Sequence, residues 1–391
     1  MPITLDEARA LDAADPLRAH RDAFDLPPGL IYLDGNSLGP PPRAALARLA
    51  EVAAREWGGQ LIAGWDRAGW MAAPARIGDA IARIVGAGPG EVLAADSTSV
   101  NLFKLLSAAV RLRPDRRVIL TEAGNFPTDR HVADGLAALR PGLEVRAVPA
   151  EAISGALGED TAVLLLCHVH YRSGARHDMR ALTAQAHAHG ALAVWDLSHS
   201  AGAVPVDLNG ARADMAVGCG YKFLNGGPGA PAFLFVAARH QGAAQPAPQG
   251  WMGHADPFAF SDIYAPAPGL ARFLTGTPGV LGLAALEAGV AAWLAADLAA
   301  LFEKSARLFD MFAALCPALE LLTPRDAALR GSQISFRHAN ARAIMQRLAA
   351  RGIIGDYRPP DIMRFGLTPL YTRYAEIFSA AEAVKEEAVL F

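Results

Sequence analysis

Two kinds of hydrophobic pattern alternate along this chain. Short, uninterrupted apolar runs recur through its middle: "RVILTE" at 117–122, "TAVLLLCHV" at 161–169, "ALAVWDL" at 191–197, "ADMAVGC" at 213–219 and "PAFLFVA" at 231–237. Runs this short and this apolar predict strands covered on both faces. Between them, apolar residues fall at helical spacing in "SVNLFKLLSAAVRLR" (99–113), halted by Pro114, and in "DMRALTAQAHAHG" (178–190), closed by glycine. Alternation of the two predicts an α/β fold, a mostly parallel sheet flanked by helices. Over 240–280 the texture turns Pro/Gly-rich, which predicts loops at the edge of that domain. Ala/Leu-rich helices over 281–316 and the strand-like "GSQISFRH" (331–338) predict a smaller α+β domain. The expected division is 1–60 as an N-terminal segment packing with the small domain, 61–275 as the large domain and 276–391 as the small one.

Composition narrows the classes. With 391 residues, 52% hydrophobic and 19% charged, the chain has ample material for a core and none of the marks of disorder. A net charge of −3 with dispersed basic residues gives no footprint for nucleic acid or an anionic membrane. No uncharged apolar run reaches the roughly 20 residues of a membrane span, and "MPITLDEARA" does not read as a signal peptide. Cys167, Cys219 and Cys316 are too scattered for a disulfide framework or a structural zinc site. The expected location is the reducing cytoplasm.

Only four of the 36 Lys+Arg residues are lysines. Lys104, Lys304 and Lys385 lie in helical patterns and read as solvated or snorkelling side chains. Lys222 differs. It stands in "GCGYKFLNGGPG" (218–229), just past a buried strand, where open α/β sheets place their ligands. Flanking glycines allow close approach, and a lysine held there suits a Schiff base with a carbonyl cofactor. A loop lysine beside a glycine turn is the ordinary alternative.

Asp196, in "VWDLSHSAG" (194–202), ends another buried strand. A carboxylate there suits the pyridinium nitrogen of pyridoxal phosphate (PLP), since it keeps that nitrogen protonated and the ring able to accept electrons; helix capping is the alternative. Ser97, Thr98 and Ser99 bring three hydroxyls to a predicted helix N-terminus, a phosphate cradle through its free N–H groups and dipole. Phe126 in "GNFPTDRH" (124–131) follows the strand "RVILTE" and is placed to stack on a ring, with Asp129 nearby as an orienting group. Each alone has a structural explanation; all four converge on the strand ends of one sheet.

Several stretches together resemble the kynureninases: "YLDGNSLG" (32–39), "STSVNLFK" (97–104), "NFPTD" (125–129), "WDLSHSAG" (195–202), "GCGYKFLNGGPGAP" (218–231), "GWMGH" (250–254), "FLTGTP" (273–278) and "RFGLTPLY" (364–371). The resemblance runs nearly end to end. It implies the fold type I of PLP enzymes, with a large domain built on a mostly parallel seven-stranded sheet, and hydrolysis of L-kynurenine, and of its 3-hydroxy form, to anthranilates and L-alanine in tryptophan breakdown and NAD biosynthesis. On that basis Lys222 is the Schiff-base lysine, Asp196 the pyridinium partner and Phe126 the stacking ring within a cofactor-binding run that includes Pro127, Thr128 and Asp129. His199 supports the cofactor near its 3-hydroxyl. Thr98, Ser99, Tyr221 and Trp251 hold the phosphate, with Thr277 reaching it from the second subunit of a homodimer whose sites lie at the interface. Arg364 grips the substrate carboxylate, and Asn36 and Trp65 belong to an access loop and an aryl pocket. Tyr221 is the candidate acid–base at the substrate's γ-carbonyl.

Three rivals remain at this stage. Another enzyme of the same fold, such as a cysteine desulfurase or an aminotransferase, shares most of these residues; a desulfurase needs a mobile cysteine near the site, and none of the three is expected there. A zinc hydrolase would use His168 and His170 at period two with His177, His187 or His189, but no supporting third ligand is evident, and no metal is expected. A non-catalytic module would not need the lysine, aspartate and arginine together.

Overall fold

The structure, a computed structural model, describes residues 3–390. Its main sheet has seven strands: β1 (Val92–Ala95), β2 (Val118–Glu122), β3 (Glu144–Val148), β4 (Thr161–Cys167), β5 (Leu192–Asp196), β6 (Met215–Gly218) and β7 (Ala232–Val236). They lie in the order β1-β7-β6-β5-β4-β2-β3. β7 runs antiparallel to both neighbours, and the other pairings are parallel. Because β1 and β6 both oppose β7, β1 points the same way as β6, β5, β4 and β2. The carboxyl ends of those five strands therefore share one edge of the sheet, where a ligand crevice forms.

The all-apolar runs are strands for the reason their pattern gives: helices cover both faces. β4, β5, β6 and β7 are buried at every position, while edge strand β3 is half-exposed. Two helices match the pattern closely. Thr98–Arg111 is capped by Ser97, whose Oγ accepts from the Val100 N–H at 3.3 Å, and Met179–Ala188 by Asp178, which accepts from Ala181.

A second unit follows, a four-stranded antiparallel sheet in the order Asp356–Arg358, Ile362–Gly366, Gln333–Arg337, Glu320–Leu321. Its core gathers Phe312, Phe336, Phe365 and Ile377. The start of the chain joins this unit. Ala8 enters its core, Asp12 accepts from the N–H groups of Tyr374 and Ala375, and Ile31–Tyr32 pairs in parallel with Ile353–Ile354. Helix Val280–Leu294 behaves differently: its Leu283, Leu286, Val290 and Trp293 pack into the core of the main sheet. No single helix among the described residues is long and apolar enough to cross a membrane.

Two lysines contradict the expectation drawn from their helical surroundings. Lys104 is fully buried and ion-paired to Asp96, and Lys304 is buried against Asp15 at 2.7 Å. Only Lys385 sits on the surface, beside Glu382. An apolar helix face leaves a lysine the choice of snorkelling outward or meeting a buried acid, and here the acids lie in other segments.

Candidate active site

Lys222 follows β6 by four residues, in a turn pressed against the N-terminal motif. The Gly39 N–H donates to the Tyr221 carbonyl at 2.8 Å, and Asn225 donates to the Pro40 carbonyl at 3.1 Å. A Cβ on Gly39 would lie 2.3 Å from the Lys222 carbonyl, and one on Gly220 would lie 2.2 Å from that of Pro231. Glycine at both positions lets backbone approach backbone. "YLDGNSLG" thus braces the turn that carries the lysine, although nearly two hundred positions separate them.

The lysine opens into a cavity of about 240 Å³ lined by Thr98, Ser99, Phe126, Thr128, Asp129, Cys167, Val169, Asp196, Ser198, His199, Tyr221 and Lys222. This brings together nine of the residues expected from sequence. Lys222 Nζ lies 3.0 Å from His199 Nε2 and 5.9 Å from the centre of the Phe126 ring. Phe126 is fixed edge-on against Tyr171 at 5.2 Å, and its N–H donates to Asn125. Asp196 accepts from the Ser198 N–H at 2.6 Å.

Cys167 lies in this cavity, contrary to expectation. Strand register explains it: Cys167 is the cross-strand partner of Asp196 at the ends of β4 and β5. Its Sγ is 3.4 Å from Asp129 Oδ2 and 3.9 Å from Asp196 Oδ2. The thiol is buried, and burial, with the two carboxylates, raises its pKa well above the ordinary value. Asn125 was also missed; its side-chain oxygen accepts from the N–H groups of both Phe126 and Cys167 and so ties the loop after β2 to the end of β4.

Electrostatics test the fit to a cofactor. Burial raises the pKa of Asp196 against the opposing Ser198 hydrogen bonds, and burial followed by the Asp196 charge raises that of Asp129 further. The Lys222 charge offsets this only in part and pairs directly with neither carboxyl, so a pyridinium N–H would be a matching cation. His199, held neutral by burial and by the Lys222 charge, lines the cavity with its Nε2 beside the lysine. Amine, acid pair and aromatic face suit PLP.

A second cavity, of about 570 Å³, adjoins it. Its walls are Ala95–Thr98 on one side and Leu274–Gly279 on the other, and Tyr221 lines both cavities. The Thr98 and Ser99 N–H groups that open helix Thr98–Arg111 have no intrahelical partners, while that of Val100 is met by Ser97 Oγ; open N–H groups are what a phosphate needs. Thr277 stands on the wall of its own chain's cavity.

Other expected residues lie apart from Lys222. Arg364, 0% exposed, already has partners: Nε donates to Asp356 Oδ1 at 2.8 Å, Nη2 to Asp356 Oδ2 and to Ser37 Oγ, and Nη1 to the Tyr171 carbonyl. It touches the site through Tyr171, which packs on Phe126. Asn36 is fully buried against Gly366, with both amide atoms unpartnered, so it lines no access route within one chain. Trp65 packs on Trp70 at 5.5 Å and away from the lysine, Trp251 is exposed beside Phe258, and Pro127 faces a neighbouring cavity. The histidines weighed as zinc ligands have separate partners: His170 meets the Gly124 carbonyl, His177 meets Glu122, His187 meets Asp214, and His168 packs against Trp195.

Solved structures share this architecture. The C-DES protein, carrying glycine covalently linked to its PLP cofactor, superposes with a TM-score of 0.81 at 18% identity over 93% of this chain and 98% of its own. The cysteine desulfurase of Thermococcus onnurineus NA1 gives 0.82 at 18% identity over 95% and 98%. Fold and site together define a PLP-dependent enzyme of fold type I. Sequence comparison is more specific. The kynureninase of Deinococcus radiodurans is 53% identical over 98% of this chain and 96% of its own length, and that of Burkholderia pseudomallei is 50% identical over 98% and 95%. The model of the kynureninase C-terminal domain matches residues 301–384. The chain belongs to the kynureninase family.

Proposed function

We propose that this enzyme hydrolyses the Cβ–Cγ bond of L-kynurenine, consuming one water and releasing anthranilate and L-alanine, as a cytoplasmic step of tryptophan breakdown. The observation that carries the residue assignments is the single cavity shared by the Lys222 amine, the Asp196 carboxylate and the Tyr221 ring. Lys222, Asp196, Thr98 and Ser99 would hold PLP, which would supply an electron sink for the substrate's α-carbon.

The chain's own groups do the rest. Lys222 Nζ takes the α-proton of the substrate, with neutral His199 as its neighbour at 3.0 Å. Asp196 keeps its charge toward the ring nitrogen, and Asp129 and Cys167 exclude water behind it. Tyr221, whose pKa burial pushes up to about 12, stays protonated at neutral pH and donates from its hydroxyl to the γ-carbonyl oxygen as water adds. Arg364 receives the substrate carboxylate, for which a guanidinium fork is matched, once that fork releases Ser37 and Asp356, which occupy it in this structure.

The active unit in this reading is a homodimer. Trp251, Phe258, Phe260 and Ile263 form an exposed apolar stretch beside the phosphate cavity, 41% to 80% accessible in the single chain. A second copy would cover it, bringing Trp251 and Thr277 toward a cofactor phosphate and Trp65 toward an aryl group. Adding L-kynurenine to the purified protein, with and without PLP, and following anthranilate fluorescence tests the reaction. PLP-dependent product formation is expected; no product under either condition would overturn it. Repeating the assay with 3-hydroxykynurenine ranks the two substrates.

A further inference from the structure

Asp96 stands immediately before the three hydroxyl residues of the helix N-terminus, with φ of 45°, and lines the same cavity as Ser97, Thr98 and Thr275–Thr277. A carboxylate there works against the seat. Free N–H groups and a helix dipole attract a phosphate dianion, whereas a bare aspartate on the same wall repels it.

Lys104 answers this conflict. It lies on the same helix, on the turn beyond the cradle, and is 0% exposed. Its Nζ is paired with Asp96 Oδ2 and also donates to the Phe273 carbonyl at 2.6 Å, which fixes the ammonium in place. Asp96 keeps 31% of its side chain accessible, so it faces the cavity while its charge is met from behind. A lysine reaching outward into solvent would leave that charge open to the phosphate.

We propose that Lys104 is a positioning residue for the cofactor phosphate: its buried ammonium cancels the charge of Asp96 and so makes the helix N-terminus a net anion seat. The inference rests on reading Ser97–Ser99 as the phosphate cradle.

The test compares PLP with pyridoxal, which lacks the phosphate. Binding of each to the full-length apoenzyme is measured by equilibrium dialysis, for wild type, K104M and the double variant D96N/K104M. K104M is expected to weaken PLP binding on the order of tenfold, from one uncompensated charge near a dianion, and to leave pyridoxal binding unchanged. The double variant, with neither charge, is expected to bind PLP as wild type does. Equal losses for PLP and pyridoxal in K104M would reduce the lysine to packing and overturn the proposal. So would a double variant that still loses PLP selectively, and this readout stands even if K104M alone fails to fold. A wild-type protein that binds pyridoxal as well as PLP overturns the cradle reading itself; a selective wild type with an unaffected K104M overturns only the role of Lys104.

Discussion

Nζ of Lys222 lies 3.0 Å from Nε2 of His199, and both side chains are buried. Burial first, then the charges of Lys222 and Arg364, hold the imidazole pKa well below its ordinary value. The ring is therefore neutral across the pH range in which histidines usually titrate. Replacing it by His199→Asn is expected to lower kcat by roughly ten- to a hundredfold. The acid limb of the pH–rate profile should keep its position, because His199 does not titrate there. A limb near pH 6.5 that disappears in the variant would show that the imidazole does charge.

Arg364 is held by Asp356, Ser37 and Tyr171 before any substrate arrives. Arg364→Lys keeps the charge and loses the planar fork. Its kcat/KM for kynurenine is expected to fall by about a hundredfold, chiefly through KM, consistent with the loss of a charge-assisted contact. Kynuramine, which lacks the carboxylate, should bind wild type and variant equally as a competitive inhibitor. If kynuramine binding weakens in parallel with that of kynurenine, Arg364 acts by supporting Tyr171 and not by gripping the carboxylate.

Asp34 gives a stability signature. Burial, then the Asp356 charge, raises its pKa from 3.8 to about 6, and its Oδ1 has no partner. A carboxyl raised in the folded state binds its proton more tightly there than in the unfolded chain. Its cost to stability is thus absent at low pH, grows as pH rises past the unfolded value, and is complete above about 6. Asp34→Asn is expected to stabilise the protein by about 3 kcal/mol at pH 8, with the gain vanishing below pH 4. Denaturant melts at both pH values check the sign; a variant less stable than wild type at pH 8 contradicts it.

Cys167 lines the cavity that holds Lys222. A thiol whose pKa burial and two carboxylates raise is a poor nucleophile. Iodoacetamide at pH 8 should leave Cys167 unlabelled in the folded holoenzyme and label it after denaturation, as read by peptide mass. Rapid labelling in the native protein would point to a mobile, reactive cysteine and reopen persulfide chemistry.

Much of the site was legible because strand ends are. Fully apolar runs mark buried strands, so Asp196, Lys222 and Phe126 could be assigned to one sheet edge from the residues that close or follow those runs, and the hydroxyls of Thr98 and Ser99 from a helix start. Register was not legible. Cys167 ends its strand as visibly as Asp196 does, yet only their pairing shows the thiol against the carboxylates. Pattern also could not tell a snorkelling lysine from a buried one; Lys104 needed the left-handed turn at Asp96 to bring the carboxylate back over its own helix. Strand β3 was not singled out because, at the sheet edge, its residues are half-exposed and break the apolar run. Helix Val280–Leu294 follows the Pro/Gly-rich loops whose texture predicts the edge of the large domain, but its apolar face returns to the main core.

The proposed chemistry depends on a covalent bond between PLP and one side chain, Lys222. Borohydride reduction of the holoenzyme, followed by peptide mapping, should fix one cofactor per chain on Lys222 and abolish activity, while Lys222→Ala retains no trapped label. A label on Lys104, Lys304 or Lys385, or no label in active enzyme, would contradict it.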